Sequence, residues 1–182
     1  MAYKKITRDE IIDGAFDFVK KNGFVKLNAR GLASFLNCST QPIYFQFTNM
    51  DELHQALLSK TKIHYQAYIQ NSIKNEQTLF IGCMKGMINY ARENKNLFSL
   101  IFEENYVKTE EEDDFNLRII QGIMKAGGYS FESATLFFHQ SWIFSYGIAC
   151  GIIHGYMMFS ENEINTLLQN QFEALKLYYT GK

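Results

Sequence analysis

Apolar residues return every three or four positions along most of this chain, the spacing of amphipathic helices. The first helix opens at Thr7-Arg-Asp-Glu10, a capping box in which each end of the motif satisfies an amide of the other. Ile11, Ile12, Ala15, Phe16 and Val19 form its inward stripe. Lys20-Lys21-Asn22-Gly23 closes it, with cations at the negative end of the helix dipole and a glycine free to take positive φ. A second helix is expected from Asn28 as N-cap, with Leu32, Ala33 and Leu36 inward. Asn37-Cys38-Ser39 reads as a tight turn, and Ser39 as the cap of a third helix beginning Thr40-Gln41-Pro42. Proline is tolerated there because first-turn amides have no intrahelical acceptor to lose. Ile43 and Phe47, one turn apart, hold this helix against the second, leaving Thr40, Gln41, Tyr44, Phe45 and Gln46 on or near the outer face.

Asn49-Met-Asp-Glu52 starts a long helix running to about Ile73, with Leu53, Ala56, Leu57, the stem of Lys60, Ile63 and Ala67 inward. No Pro/Gly-rich linker interrupts it, so a stiff joint to the rest of the chain is expected. Residues 76–92 form the next helix, with Leu79, Phe80, Cys83, Met84, Met87, Ile88 and Ala91 inward, and Glu93-Asn-Lys-Asn96 breaks it. A short apolar helix from Leu97 to Phe102 follows. The stretch 103–114 carries seven acids in twelve positions and reads as a solvated loop or frayed helix start, with a site for a cation as the alternative. Adjacent acids without a Gly turn do not match a calcium loop. Helix resumes over 115–126 with Phe115, Leu117, Ile119, Ile120, Ile123 and Met124.

Ser130 caps a helix expected to reach about Phe159, and between Glu132 and Glu161 no residue carries a formal charge. Such a run must be weighed as a membrane span. His139, Gln140, Ser141, Ser145 and His154 interrupt it, and no basic cluster flanks it. The preferred reading is a helix buried on all sides, one of them by a partner subunit. Gly147, Gly151 and Gly155 recur every four residues and would admit another helix closely. Ser160-Glu-Asn-Glu163 is a second capping box, and Ile164, Leu167, Leu168, Gln171, Phe172, Leu175 and Tyr179 stripe the last helix.

Composition agrees with an all-α protein: 182 residues, 47% hydrophobic, 15% aromatic and one proline. The net charge of −1 argues against a surface coated in nucleic acid, but residues 1–50 hold seven basic against four acidic residues, and the remainder 11 against 15. A basic head on an acidic body suits a DNA reader attached to something else. Lys4, Lys5 and Arg8 are either an arm for phosphates or ordinary solvated charge. Three distant cysteines without a CxxC pair point to a reducing compartment and away from zinc or disulfides. MAYKKITRDEII has no apolar run of a signal peptide, so a cytoplasmic protein is expected. Cys38 reads as a small hydrophobe in a turn, with a redox switch as the alternative. His54 and His64 lie about 15 Å apart along a helix, and His139 and His154 about 22 Å, too far for either pair to share an ion.

Gln, Thr and Tyr side chains can hydrogen-bond base edges or phosphates, and a short helix presenting them is what the major groove admits. The run from Thr7 to Leu53 also resembles the DNA-binding domain of the TetR family of transcriptional regulators. The matching positions are Ile11, Ala15, Phe18, Gly23, Arg30, Leu32, Ala33, Ser39, Ile43-Tyr44, Phe47, Asn49 and Leu53. The chain departs from that pattern with Asn37-Cys38 in place of a Gly-Val pair, Gln41 in place of a small residue, and Thr48 and Met50 in place of two lysines.

The resemblance implies a helix-turn-helix domain over 1–50, with the motif at about 28–47, fused to a helical effector-binding and dimerisation domain over 51–182, about nine helices in all. It places Arg30 where it can reach a base or phosphate; base reading is expected of Arg30, Thr40 and Gln41, phosphate contact of Asn28 and Tyr44, and packing on thymine methyls or deoxyribose of Phe45, with Ser39 and Gln46 completing the interface. It also implies a homodimer joined through the last two helices, with Gly147, Gly151, Gly155, Leu168, Phe172 and Leu175 at the contact. A small-molecule effector is expected in a pocket drawn from Met84, Phe102, His139, Trp142 and Tyr146. No cofactor or metal is expected. An enzyme lacks any motif to support it. The remaining rival is a helical adaptor that keeps the fold and binds protein instead of DNA.

Overall fold

The computed structural model describes residues 6–76, 78–104 and 110–180, with the backbone alone at 110–113 and 180. Among these residues there are nine α-helices and no strand: α1 Arg8–Asn22, α2 Ala29–Phe35, α3 Gln41–Gln46, α4 Met50–Asn75, α5 Leu79–Glu93, α6 Lys95–Ser99, α7 Glu110–Gly127, α8 Phe131–Ile153 and α9 Glu161–Thr180. A 3-10 turn, Phe24–Lys26, precedes α2, and a π-helical turn, Leu100–Glu104, follows α6. The chain forms two compact units, residues 1–65 with 94–106, and residues 66–93 with 107–182. The first of these, the head unit, takes in α4 as far as Tyr65 together with α6.

The helix starts follow local chemistry. Thr7 and Glu10 form the reciprocal capping box. Asn28 caps α2 through Gly31, Ser130 caps α8 through Ser133, and Ser160 pairs with Glu163 at the start of α9. In the head unit the buried core is Ile11, Ala15 and Val19 of α1, Leu32 and Ala33 of α2, Ile43 and Phe47 around α3, Leu53 and Leu57 of α4, and Leu97 and Phe98 of α6, with α1 packed on α2, α3 and α6. Asn37 takes the left-handed conformation at φ 54°, which Asn tolerates better than most residues, so the turn forms without the usual glycine.

In the second unit α5 packs against α7, α8 and α9. The ring of Phe80 lies 5.8 Å from Phe137 and 4.8 Å from Phe172, forming the aromatic centre of that unit. Gly82 and Gly86 let α5 approach the last turns of α4 closely, since a Cβ on Gly82 would stand 2.4 Å from the Ile73 Cα.

Four expectations about the helices are corrected. Ile63 is 68% exposed and Ala67 also faces outward, whereas Thr61 and Lys62 are buried in their place. The Thr61 hydroxyl satisfies itself by donating to the Leu57 carbonyl. The fifth helix starts at Leu79 rather than residue 76, capped by the Thr78 hydroxyl accepting from the Ile81 amide. Leu117 is exposed although its neighbours Phe115, Ile119 and Ile120 are buried. Finally, α8 stops at Ile153, because Gly155 takes φ 77° and the chain turns back with the Tyr156 and Met157 amides donating to the Gly151 carbonyl. Within the acidic stretch, residues 110–114 begin α7, while 105–109 lie outside the described residues. By length and composition α8 could cross a membrane, yet Ala134, Phe137, Phe138, Ser141, Ser145 and Ala149 are buried in its own unit.

Candidate nucleic-acid interface

The candidate element, α3, is built from the inside out. Ile43 and Phe47 are buried to 1% and 2% exposure and fix the rotation of α3. That rotation sends Tyr44 and Phe45 outward, 55% and 76% exposed, beside the exposed Gln41. Six helical residues cannot sustain themselves, so the orientation of α3 depends on those two anchors.

A second device sets the exit from α3. Arg8 places its guanidinium 4.6 Å from the centre of the Phe47 ring and pairs with Glu52 at 3.1 Å. Glu52 also accepts the Thr48 amide at 2.8 Å, while Asn49 Oδ1 accepts the Glu52 amide at 2.9 Å. The Thr48 amide first, and then the Arg8 guanidinium, hold the Glu52 carboxyl below the usual range. Arg8, read from sequence as phosphate arm or free charge, is thus an internal brace of the head. Its companions Lys4 and Lys5 lie outside the described residues.

The anticipated contact residues differ in their settings. Arg30, Gln41, Tyr44 and Phe45 are exposed, and Thr40 is half-buried at the start of α3. Asn28 is exposed but locally engaged: Oδ1 accepts the Gly31 amide at 2.9 Å and Nδ2 donates to the Lys26 carbonyl at 3.0 Å. Gln46 is half-buried and donates to the Ile6 carbonyl at 3.4 Å, tying α3 to the segment before α1. Ser39 is exposed but does not occupy the cap position. That position is Thr40, whose own backbone is already helical and whose side chain makes no capping bond. Cys38 sits half-buried in the turn, and burial raises its thiol pKa. The Arg8–Phe47–Glu52 brace was missed from sequence because its members are 44 residues apart; the only local hint was the Asn49–Glu52 spacing.

The residues expected to line an effector pocket do not converge on one described cavity. Met84 is buried in the core of the second unit, and His139 is exposed on α8. Trp142 stacks on Tyr146 at 5.0 Å with the rings nearly parallel. Phe102 belongs to the head unit, against Tyr65 and Phe98. A cleft of about 430 Å³ in the second unit has an entirely different lining: Arg92, Ile152, Gly155, Met157, Met158, Phe159 and Ser160.

The residues expected at a dimer contact are also redistributed. Leu168 and Leu175 are buried within the chain, and Phe172 packs on Phe80 and Phe137, so this stripe of α9 belongs to the subunit core. Gly155 lies beyond the end of α8. Gly151 is buried under Met157, whose sulfur would stand 2.6 Å from an added Cβ. Of the glycines within α8, Gly147 sits on an open face, with Leu136, His139, Gln140 and Ile143 on the same side of the helix.

No family model and no curated protein matches the sequence. Among solved structures, the chain matches a TetR variant from Acinetobacter baumannii AYE in complex with minocycline, with a TM-score of 0.66 over 97% of both chains at 14% identity. The chain therefore shares the all-α fold of that structure over nearly its whole length, and identity this low establishes the fold alone.

Proposed function

We propose that this protein is a sequence-specific DNA-binding transcriptional regulator, acting in the cytoplasm as a homodimer on a near-palindromic operator, most simply as a repressor released by a small-molecule effector. The observation that carries the reading is the outer face of α3, where Gln41, Tyr44 and Phe45 project while Ile43 and Phe47 anchor the helix from behind. Arg30 stands exposed on the preceding helix, as a guanidinium for a base edge or phosphate requires. Two such heads must sit about 34 Å apart, or a multiple of that, to enter successive major grooves on one face. An effector acts by favouring another head spacing, and only through its differential affinity for the two arrangements.

The test is operator selection from genomic fragments followed by fluorescence anisotropy. Gln41→Ala or Arg30→Ala is expected to cost about 1–3 kcal/mol and to relax preference at one base pair. A uniform loss over all sequences would remove the base-reading role. The adaptor reading draws on one observation, that α3 exposes two aromatic rings while Arg8 is braced internally. A chain that ignores every duplex at low salt would favour it.

A further inference from the structure

We propose that the cleft at the junction of α5, α8 and α9 is a binding site for a small amphipathic carboxylate, held head-first by Arg92. The cleft follows from the way α8 ends. Gly155 reverses the chain, Met157 folds back over Gly151, and the strap 154–160 runs on to α9. Arg92 anchors that strap, donating to the Phe159 carbonyl at 3.3 Å and to Glu161. Two of its five N–H donors are thereby used, and the remaining three are held in a fixed plane at the cleft wall. The rest of the lining is mainly apolar, from Ile152, Met157, Met158 and Phe159, with Met158 93% exposed.

The chemistry of the occupant follows from that lining. A planar guanidinium recognises a carboxylate with two parallel hydrogen bonds, better than it does a neutral acceptor. Thioethers accommodate an apolar tail without demanding one shape. A cleft of about 430 Å³ equals roughly fourteen water volumes, room for a ligand of about a dozen heavy atoms. Glu161 is the internal competitor for the guanidinium, and Lys85, 4.0 Å from Glu161 and 2.9 Å from Glu76, can take up part of its charge when a ligand displaces it. Occupancy of the cleft does not depend on DNA recognition; its identification as the effector site rests on the regulatory reading above.

Isothermal titration of the full chain with octanoate, octan-1-ol and octylamine tests the site. Octanoate is expected to bind about tenfold more tightly than the alcohol, the worth of a charged hydrogen bond, with the amine weakest. Arg92→Met should bring octanoate and octanol together. Because that change also releases the strap, Glu161→Gln is the second variant: it frees the guanidinium from its competitor and should tighten octanoate, whereas mere loosening of the strap would weaken it. Head-group indifference, no saturable binding of octanoate, or weaker octanoate binding in Glu161→Gln overturns the site. Operator affinity measured with and without octanoate reads the regulatory reading separately: binding without a change in DNA affinity leaves the site standing and excludes it as the effector pocket.

Discussion

Two glycines subjected to the same substitution should respond with opposite signs. Gly82 lies inside α5, where an added Cβ would meet the Ile73 Cα at 2.4 Å, the Ile73 nitrogen at 3.0 Å and the Ser72 carbonyl oxygen at 3.1 Å. All three are backbone atoms, so no rotamer change can relieve the overlap. Gly82→Ala gains about 1 kcal/mol of helix propensity but must push two helices apart, and overpacking of this kind costs about 1–3 kcal/mol or more. The net loss is expected at about 1–2 kcal/mol, at the upper part of that range because the obstacle is main chain. Gly147 lies inside α8 with nothing within 4 Å of its Cβ position. Gly147→Ala should therefore gain about 0.5–1 kcal/mol within the subunit. Urea denaturation of each variant at matched protein concentration reads both numbers, since a dimer's apparent stability depends on concentration. Sedimentation equilibrium then separates subunit from assembly. If Gly147 seats a partner helix, the same alanine weakens the dimer while the subunit gains stability. A Gly82→Ala protein as stable as the parent would refute the close α4–α5 crossing, and a destabilised Gly147→Ala subunit would refute its open position.

Arg8→Ala should lower the melting temperature of the head modestly, through loss of the Phe47 ring contact and the Glu52 pair, and leave the salt slope of DNA binding unchanged; a slope reduced by about one would return Arg8 to phosphate contact. Leu168→Ala should cost about 2–5 kcal/mol of subunit stability, measured by urea midpoint, because the side chain is wholly buried within its own chain. If instead only dimerisation suffers, α9 is turned the other way. Stability should fall on mild acidification. His54 and His64 pack edge-on against Phe24 and Phe16, and burial first of all lowers the pKa of both. The fold prefers their neutral forms, so the unfolded chain binds more protons. Their contribution is full above the ordinary histidine pKa of about 6.5 and is lost as pH falls below it toward the folded values. Urea midpoints between pH 7.5 and 5.5 should decline, and His54→Gln should flatten part of that slope.

The sequence spoke clearly wherever structure is decided within four residues. The starts of α1, α2, α8 and α9 are such places, since a cap and its amide partner are neighbours in the chain. Most of Asn28–Phe47 was legible for the same reason; the exception is the start of α3, where Thr40 and not Ser39 stands at the cap and no side chain caps it. The end of α8 was misread although Gly155 is an ordinary stop signal, because the strap after it, Tyr156 to Phe159, is as apolar as the helix before it. In α4 the apolar spacing pointed to Ile63 and Ala67, but Thr61 and Lys62 are buried there, and a helix that contributes to two compact units need not keep one stripe.

An apolar stripe states that a face is covered and not what covers it. Leu168, Phe172 and Leu175 in the stripe of α9 are expected at a partner subunit because the family resemblance implies a dimer joined through the last two helices. The structure gives that stripe to the chain itself: Ile164 and Leu168 are fully buried, and Phe172 closes on Phe80. What α8 and α9 leave uncovered is a different set, with Leu136, Ile143 and Gly147 on α8 and Leu177 and Tyr178 on α9. Any homodimer built on these helices must use that outward set, so substitutions there and in the Leu168 stripe separate cleanly. Ile143→Asp should abolish dimerisation with the subunit still folded, because a solvated carboxylate costs an exposed site little and a buried interface much. A dimer that survives Ile143→Asp unchanged would place the twofold contact elsewhere on the chain.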